Sequence, residues 1–268
     1  MAISLNSSTG SPQALSGPSQ SDKLLQQLSS GSRINSPADN AAGSAIAERL
    51  TSQLGGFDAA IRNANDSISA IQVADGALSS LNDNIGRIQA LTVQAGNGTL
   101  SKQDRQALQE EANQLIEDSN RLLEHTNFNG KSLLDSNEGF NIQLDQANKS
   151  IELEGENIAK AIKDLAFDKI DLGSAEQANQ SLDSLNQASE LIISRQSELG
   201  AVTNRVESAI DNLSSSSVNT AEARSRISDT DYAQVASDLA ASQVRDQAQI
   251  AVQGQANAQR DAVLQLLS

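Results

Sequence analysis

The sequence predicts a mostly α-helical protein, organised as a long antiparallel coiled-coil helical bundle with one small β-hairpin region. Two long stretches repeat small apolar residues at alternating steps of three and four, the spacing of a helix-to-helix seam. A short segment between them alternates apolar and polar residues, which is typical of strands. Only 38% of the residues are hydrophobic and 2% aromatic, which favours elongated helices over a thick core.

The N-terminal region predicts a loose segment followed by a short helix. Residues 1–20 are rich in Ser, Gly, Pro and Asn, and Pro12 and Pro18 would interrupt a helix there. A short apolar face follows, and Gly31 ends it. This face is made by three leucines: Leu24, Leu25 and Leu28.

The first long seam predicts a helix from about Phe57 to Ala95, on the order of 55 Å long at 1.5 Å per residue. Gly96 and Gly98 would end it. Ser101, with Asp104 three residues later, predicts a capping box that begins the next helix. The seam positions are Ile71, Ala74, Leu78, Leu81, Ile85, Ile88, Thr92 and Ala95.

The next helix and the strands lie between the two seams. The helix ends at the turn Asn127-Phe128-Asn129-Gly130. Alternating residues then predict a β-hairpin within about 139–172, the only sheet expected. The predicted helix seam is Leu108, Ala112, Leu115 and Leu122, and the strands carry Phe140, Ile142, Leu144, Ile151 and Leu153.

The second long seam begins after Ser174 and Gln177, which predict another capping box. After a Ser-rich stretch at 214–217, Ser228 and Asp231 are expected to begin a last helix that runs towards Leu267. The two seams flank a short hairpin, so the chain should double back and pack them antiparallel. The seam positions are Leu182, Leu185, Ser189, Ile192, Gln196, Leu199, Thr203, Val206, Ile210 and Leu213.

The charge and the residue types exclude several classes of function. The net charge of −15 argues against nucleic acid and membrane surfaces as partners. With no Cys and only His125, the sequence offers no catalytic triad, metal site or cofactor site. Residues 1–32 lack the pattern of a cleaved signal peptide. We therefore expect a non-enzymatic protein, and if it is extracellular, export without a cleaved leader.

Several segments are similar to bacterial flagellins. Residues 28–49 (LSSGSRINSPADNAAGSAIAER) resemble the N-terminal signature of that family, and residues 223–233 (ARSRISDTDYA) its C-terminal half. Residues 62–66, 72–76, 91–95, 126–130 and 199–205 extend the resemblance, which covers roughly 20–268. The short stretch between Gly130 and Ser174 leaves no room for the outer domains that many members carry, so the chain resembles a minimal flagellin.

The resemblance implies a structural subunit of the flagellar filament, which self-assembles to give a helical propeller for motility. Residues 1–45 would be an N-terminal assembly arm and 226–268 a C-terminal assembly helix, both in the inner filament core. Residues 46–225 would form the helical domain with the hairpin. The implied arm residues are Leu24, Leu25, Leu28, Arg33, Ile34, Asn35, Tyr232, Val235, Leu239, Val263, Leu264 and Leu267.

The same resemblance implies the partners. These are other copies of the chain, the flagellar export apparatus, an export chaperone, and the filament cap and junction proteins. Toll-like receptor 5 is a further implied partner, contacted through Arg87, Leu91 and Glu111, although Gln89 and Ala90 depart from the recognised motif. Two alternatives stay open: a hook-filament junction protein, and an unrelated coiled-coil adaptor.

Overall fold

The computed structural model describes residues 20–143 and 150–266 and confirms a mostly helical fold. One compact unit combines the described parts of Met1–Ser52 and Thr220–Ser268, and the other is Gln53–Asn219. The expectation for residues 1–19 lies outside the described residues. The elements are α1 Gln20–Ser30, α2 Ala41–Ala95, α3 Lys102–His125, β1 Asn127–Phe128, β2 Lys131–Ser132, β3 Phe140–Gln143, β4 Ser150–Leu153, α4 Ile158–Asp164, a 3-10 helix Phe167–Lys169, α5 Ala175–Ser228 and α6 Tyr232–Leu266.

Helices α2 and α5 pack antiparallel within the second unit, as predicted. The Ser189 hydroxyl donates to Asn82 Oδ1 at 3.0 Å, and Gln196 Nε2 donates to Asp75 Oδ1 at 3.2 Å. Residue numbers therefore fall along α2 as they rise along α5. All the predicted seam positions of α2 are buried, and the Thr92 hydroxyl is satisfied by the Ile88 carbonyl at 2.7 Å.

Helix α2 begins well before the predicted start near Phe57. Its first residue is Ala41, because Asn40 Oδ1 accepts a hydrogen bond from the Gly43 N–H at 2.9 Å and so caps the helix. The 55 residues of α2 correspond to about 80 Å. The apolar seam marks only the part of the helix that meets the core, so it could not indicate the true start.

Helix α3 has the predicted capping box but a different buried face. Ser101 Oγ accepts from the Asp104 N–H, and the Asp104 carboxylate accepts from the Ser101 N–H. Ala112 is buried as predicted, whereas Leu108, Leu115 and Leu122 are only half-buried. The buried residues are Ala112, Ile116, Ser119 and Leu123, which puts a step of four after Ala112 where a step of three was predicted.

From Leu185 to Val206, helix α5 follows its predicted seam at every second position, whereas the last two predicted positions, Ile210 and Leu213, are only half-buried. Leu185, Ile192, Leu199 and Val206 are buried, but each intervening buried position lies one residue before the predicted one. The hairpin region packs on this side of α5, since Arg195 donates to the Glu154 carbonyl just after β4. The shifted buried residues are Ser181, Ala188, Arg195 and Val202, and those they replace are Leu182, Ser189, Gln196 and Thr203, all half-buried.

The predicted hairpin is present but shorter than 139–172. Strands β3 and β4 pair antiparallel with Ile142 opposite Ile151, and the sheet ends at Leu153. Leu144 lies outside the described residues. Helix α4 and the 3-10 helix occupy the rest of the range, because Asn157 Oδ1 caps α4 by accepting from the Lys160 N–H at 2.7 Å.

A second, unpredicted sheet precedes this hairpin, so the expectation of only one sheet was wrong. Strands β1 and β2 pair across the turn Asn129-Gly130. Asn129 has φ 50° and Gly130 has φ 79°, the left-handed conformation that a two-residue hairpin turn requires. The sequence indicated the turn, but strands of two residues are too short to show alternation.

Helix α5 continues through the Ser-rich stretch 214–217 and ends at Ser228. Asp231, and not Ser228, caps the last helix: its Oδ1 accepts from the N–H groups of Ala233 and Gln234 at 3.0 and 3.2 Å. Ser228 therefore ends α5, and α6 starts at Tyr232.

Candidate assembly site formed by the two terminal segments

Helices α1 and α6 pack antiparallel in the first unit. The hydroxyls of Ser21 and Ser242 lie 3.0 Å apart, and Ser21 also donates to Asp246 Oδ2 at 3.0 Å. Half-buried apolar residues lie at corresponding heights along the two antiparallel helices. These residues are Leu24 and Leu28 on α1, and Val235 and Leu239 on α6.

The loop after α1 is tied to the segment between α5 and α6 by backbone hydrogen bonds. The Thr230 N–H donates to the Gly31 carbonyl at 3.1 Å, and the Arg33 N–H donates to the Ser228 carbonyl at 2.6 Å. The Ser32 hydroxyl donates to the same Ser228 carbonyl at 3.0 Å. Residues nearly two hundred positions apart in sequence are thereby held together.

The Arg33 side chain adds a charged contact at the end of α5. Its Nη2 donates to the Ile227 carbonyl at 2.6 Å. The last carbonyls of a helix lack intrahelical partners and carry partial negative charge, so a guanidinium there is favourable. Ile34 and Asn35 follow and are half-buried, and Asn35 Nδ2 donates to the Ser32 carbonyl at 2.9 Å.

Asp39 stabilises the loop that leads into α2. Its Oδ2 accepts from the N–H and hydroxyl of Ser36 at 3.0 and 3.1 Å and from the Asn35 N–H at 3.2 Å. These hydrogen bonds, those from Ser36 foremost, hold the pKa of the Asp39 carboxyl below its usual range. Lys23 lies 3.9 Å away and supports the ionised form.

The second half of α6 presents an uncovered surface. Every side chain from 243 to 259 is exposed, including Val244 at 66%, Ile250 at 72% and Val252 at 69%. A helix segment with polar residues all round and exposed Val244, Ile250 and Val252 gains little from packing on the rest of the described chain. It can gain packing from another molecule.

The structure thus brings together most of the predicted arm residues. Arg33, Ile34 and Asn35 lie at the loop junction, while Leu25 and Tyr232 are exposed. Val263 and Leu264 lie in the last turns of α6, where side chains are not described, and Leu267 lies outside the described residues. No pattern in the sequence indicated the pairing between Gly31–Arg33 and Ser228–Thr230.

The three predicted receptor residues differ in their exposure: the side chains of Arg87 and Glu111 are partly exposed, and Leu91 is buried. Arg87 Nε and Nη2 both donate to Glu111 Oε1, at 3.0 and 2.6 Å, and both side chains are about half exposed. Leu91 is only 2% exposed and belongs to the core. The burial of Leu91 argues against direct contact with a receptor on the folded chain, and the contact itself stays a prediction.

Over residues 20–143 and 150–266, no group of three or more His, Asp or Glu residues is placed to hold a metal ion. Within the same described ranges, no helix is long and apolar enough to cross a membrane. The lone His125 is exposed at the end of α3. The terminal site itself consists of helix faces and backbone hydrogen bonds.

Two family models match the chain. The bacterial flagellin N-terminal helical region matches residues 5–139, and the bacterial flagellin C-terminal helical region matches residues 182–267. Together they include both segments of the terminal site. They also include the seam of α2 and most of α5.

Curated relatives agree with these matches over almost the whole chain. The flagellin of Halalkalibacterium halodurans is 37% identical over 259 residues, 92% of this chain and 92% of that protein. The flagellin of Bacillus subtilis is 35% identical over 286 residues, 94% of each. The flagellar filament 33 kDa core protein of Treponema phagedenis is 33% identical over 261 residues, 91% of each.

Solved structures share the fold. The crystal structure of Bacillus cereus flagellin has a TM-score of 0.52 and 28% identity, covering 61% of this chain and 94% of that one. A putative flagellar hook-associated protein from Vibrio parahaemolyticus has a TM-score of 0.61 at 12% identity, covering 71% and 100%, a likeness of fold alone. From its family-model matches and its curated relatives, the chain belongs to the bacterial flagellin family.

Proposed function

We propose that this chain is the structural subunit of a bacterial flagellar filament and assembles with other copies through its terminal segments. The observation that carries the proposal is the uncovered second half of α6, with Val244, Ile250 and Val252 exposed in a chain related to filament core proteins. Contacts that repeat head to tail without closing build a helical filament. The filament would serve motility.

Assembly would order the terminal segments further. The described part of the first unit has few buried side chains, so α1 and α6 gain little from packing on each other alone. Neighbouring copies would supply the missing apolar contacts and offset the entropy of ordering. The arms at 1–45 and 226–268, proposed for the inner filament core, overlap this unit.

The finer partners and the location rest on the family resemblance. We propose that the chain is exported by the flagellar apparatus without a cleaved signal peptide, with a chaperone on α6, and is extracellular in the filament. Cap and junction proteins would contact its ends. For Toll-like receptor 5, the exposed Arg87-Glu111 pair is the supporting observation. A structural role, without enzymatic activity, follows from the family.

Electron microscopy of the purified chain with filament seeds tests the proposal. Full-length protein should elongate the seeds, and a chain ending at Ile227, which lacks α6, should not. The triple substitution Val244→Ser, Ile250→Ser and Val252→Ser should also block elongation while leaving the helical content unchanged. The matched control is Val93→Ser, which removes an equally exposed valine from α2 and should leave elongation intact.

A hook-filament junction protein is the second candidate, favoured by the shared fold of the hook-associated protein. Stoichiometry separates the two functions. A filament subunit extends seeds over many added copies, whereas a junction protein binds the seed end and stops. Failure of the full chain to extend seeds at any concentration would contradict the filament proposal.

A further inference from the structure

A groove lined by basic side chains lies in the second unit. Lys102 and Arg105 on α3 and Lys169 on the 3-10 helix line the same groove. None of the three has an ion pair with any described residue. In a chain with 34 acidic and 19 basic residues, such a cluster is unusual, because cations normally find carboxylates nearby.

The groove has a rigid wall. Gln109 Nε2 donates to the Ile170 carbonyl at 3.0 Å, and its Oε1 accepts from the Leu172 N–H at 2.6 Å. This double contact fixes α3 against the backbone that carries Lys169. Arg105 Nη1 donates to the Asn97 carbonyl at 3.2 Å, so its guanidinium is held without being neutralised.

One carboxylate, that of Asp171, also lines the groove, and neutral donors already bind both of its oxygens. Asp171 Oδ1 accepts from the Gly173 N–H at 2.8 Å, and Oδ2 accepts from Gln177 Nε2 at 2.8 Å. Asp104 is bound by Ser101 in the capping box. Arg105 Nε is buried without a hydrogen-bond acceptor among the described residues. The groove is therefore lined by three cations and one carboxylate, and this excess of positive charge is available to an external anion.

We propose that this groove binds a phosphate or sulfate group, either as the free ion or as an ester on a sugar chain. Ammonium groups provide point charges for oxyanions, and a guanidinium provides paired donors. Three cations suit a multivalent oxyanion better than a single carboxylate, because each can meet a different oxygen.

Titration of the full-length chain with inorganic phosphate, followed by amide NMR shifts at constant ionic strength, tests the proposal. Saturable shifts should centre on Lys102, Arg105 and Gly173. The variant Lys102→Gln/Lys169→Gln, which keeps the Gln109 and Arg105 contacts, should bind roughly tenfold more weakly. The control Lys131→Gln/Lys160→Gln makes the same change in net charge outside the groove and should bind as the natural chain does.

Two outcomes would overturn the site: shifts that do not saturate, or equal weakening by both variants, which would mean general charge attraction. A sulfated oligosaccharide and inorganic sulfate distinguish the sources. If the oligosaccharide binds more tightly than inorganic sulfate, and this binding is lost in Lys102→Gln/Lys169→Gln, the ligand is a sulfate ester on a sugar chain. Equal or tighter binding of inorganic sulfate assigns the free ion.

Discussion

The Tyr232 hydroxyl lies directly over Gly31, so that a Cβ on Gly31 would stand only 2.8 Å from the hydroxyl oxygen. Gly31 also has φ +68°, which L side chains rarely adopt. The residue that ends α1 therefore has two independent reasons to be glycine. Tyr232 is the only Tyr in a chain without Trp, so its fluorescence can be followed without emission from another Tyr or Trp.

The substitution Gly31→Ala should loosen the terminal site. Left-handed backbone strain costs about 1–2 kcal/mol for an L residue, and Tyr232 must move away from the added methyl group. We expect a changed Tyr232 emission and slower extension of filament seeds. The control is Gly200→Ala on α5, where nothing lies within 4 Å of the added methyl and helix propensity should improve stability by up to about 1 kcal/mol. Equal effects of the two substitutions would contradict the Tyr232 contact.

Arg195 should matter to stability through its hydrogen bond to the hairpin more than through its ion pair. It is 6% exposed and donates to the Glu154 carbonyl at 2.8 Å, while its partner Glu198 is 44% exposed at the side chain. Arg195→Ala leaves that carbonyl without its donor and opens a void, so we expect a loss of about 2–3 kcal/mol in urea unfolding.

Glu198→Gln is the matched test of the ion pair. The amide oxygen can still accept from Arg195, and exposed charge pairs are worth little, so its cost should stay below about 1 kcal/mol. If Glu198→Gln cost as much as Arg195→Ala, the ion pair and not the bond to the hairpin would be the dominant contact.

The capping box of α3 should lower the pKa that an acid titration measures for Asp104. Its pKa is lowered, first by the side-chain hydrogen bond from Ser101 and then by the Ser101 N–H. A lowered native pKa gives stability that is present above the ordinary aspartate value of about 3.9 and is lost as the pH falls through the native value.

In Ser101→Ala the pKa of Asp104 should therefore rise towards the ordinary range, and the acid dependence of stability below about pH 3.9 should weaken. Carboxyl carbon NMR shifts measure the pKa directly. Asp39, whose hydrogen bonds come from Ser36 and Asn35, is the internal control and should titrate unchanged. An unaltered Asp104 pKa would show that Ser101 is not the cause.

The sequence predicts features whose pattern lies within one segment, and it does not predict features that depend on individual contacts between distant segments. The α2 seam and the Ser101-Asp104 box were predictable because each rests on spacing within one segment. The antiparallel α2–α5 pairing was predictable because only a short hairpin region separates the two seams. The buried face of α5 was not, because Arg195 is a charged residue at a core position. Only its hydrogen bond to the Glu154 carbonyl, which is distant in sequence, allows that burial.

The terminal site shows the same division. The arm residues followed from resemblance, but the pairing of Gly31 with Thr230 and of Arg33 with Ser228 did not. Backbone hydrogen bonds between distant segments require no side-chain pattern, so the sequence carries no periodic trace of them. The spacing of Ser228 and Asp231 alone predicts the start of a helix there. In the structure Ser228 still belongs to α5.

Because Leu91 is buried, replacing it can reduce receptor binding either by removing a direct contact or by destabilising the fold. A binding assay alone does not distinguish these two causes. Leu91→Ala removes a core side chain that is 2% exposed, so it should cost about 2–5 kcal/mol in unfolding free energy. Arg87→Ala and Glu111→Ala break an exposed pair and should each cost less than about 1 kcal/mol. Binding to the Toll-like receptor 5 ectodomain, measured beside thermal unfolding, should then fall without loss of stability for Arg87→Ala and Glu111→Ala. It should fall for Leu91→Ala only together with stability, and lost binding at an unchanged melting temperature for Leu91→Ala would show instead that the receptor reaches Leu91 directly.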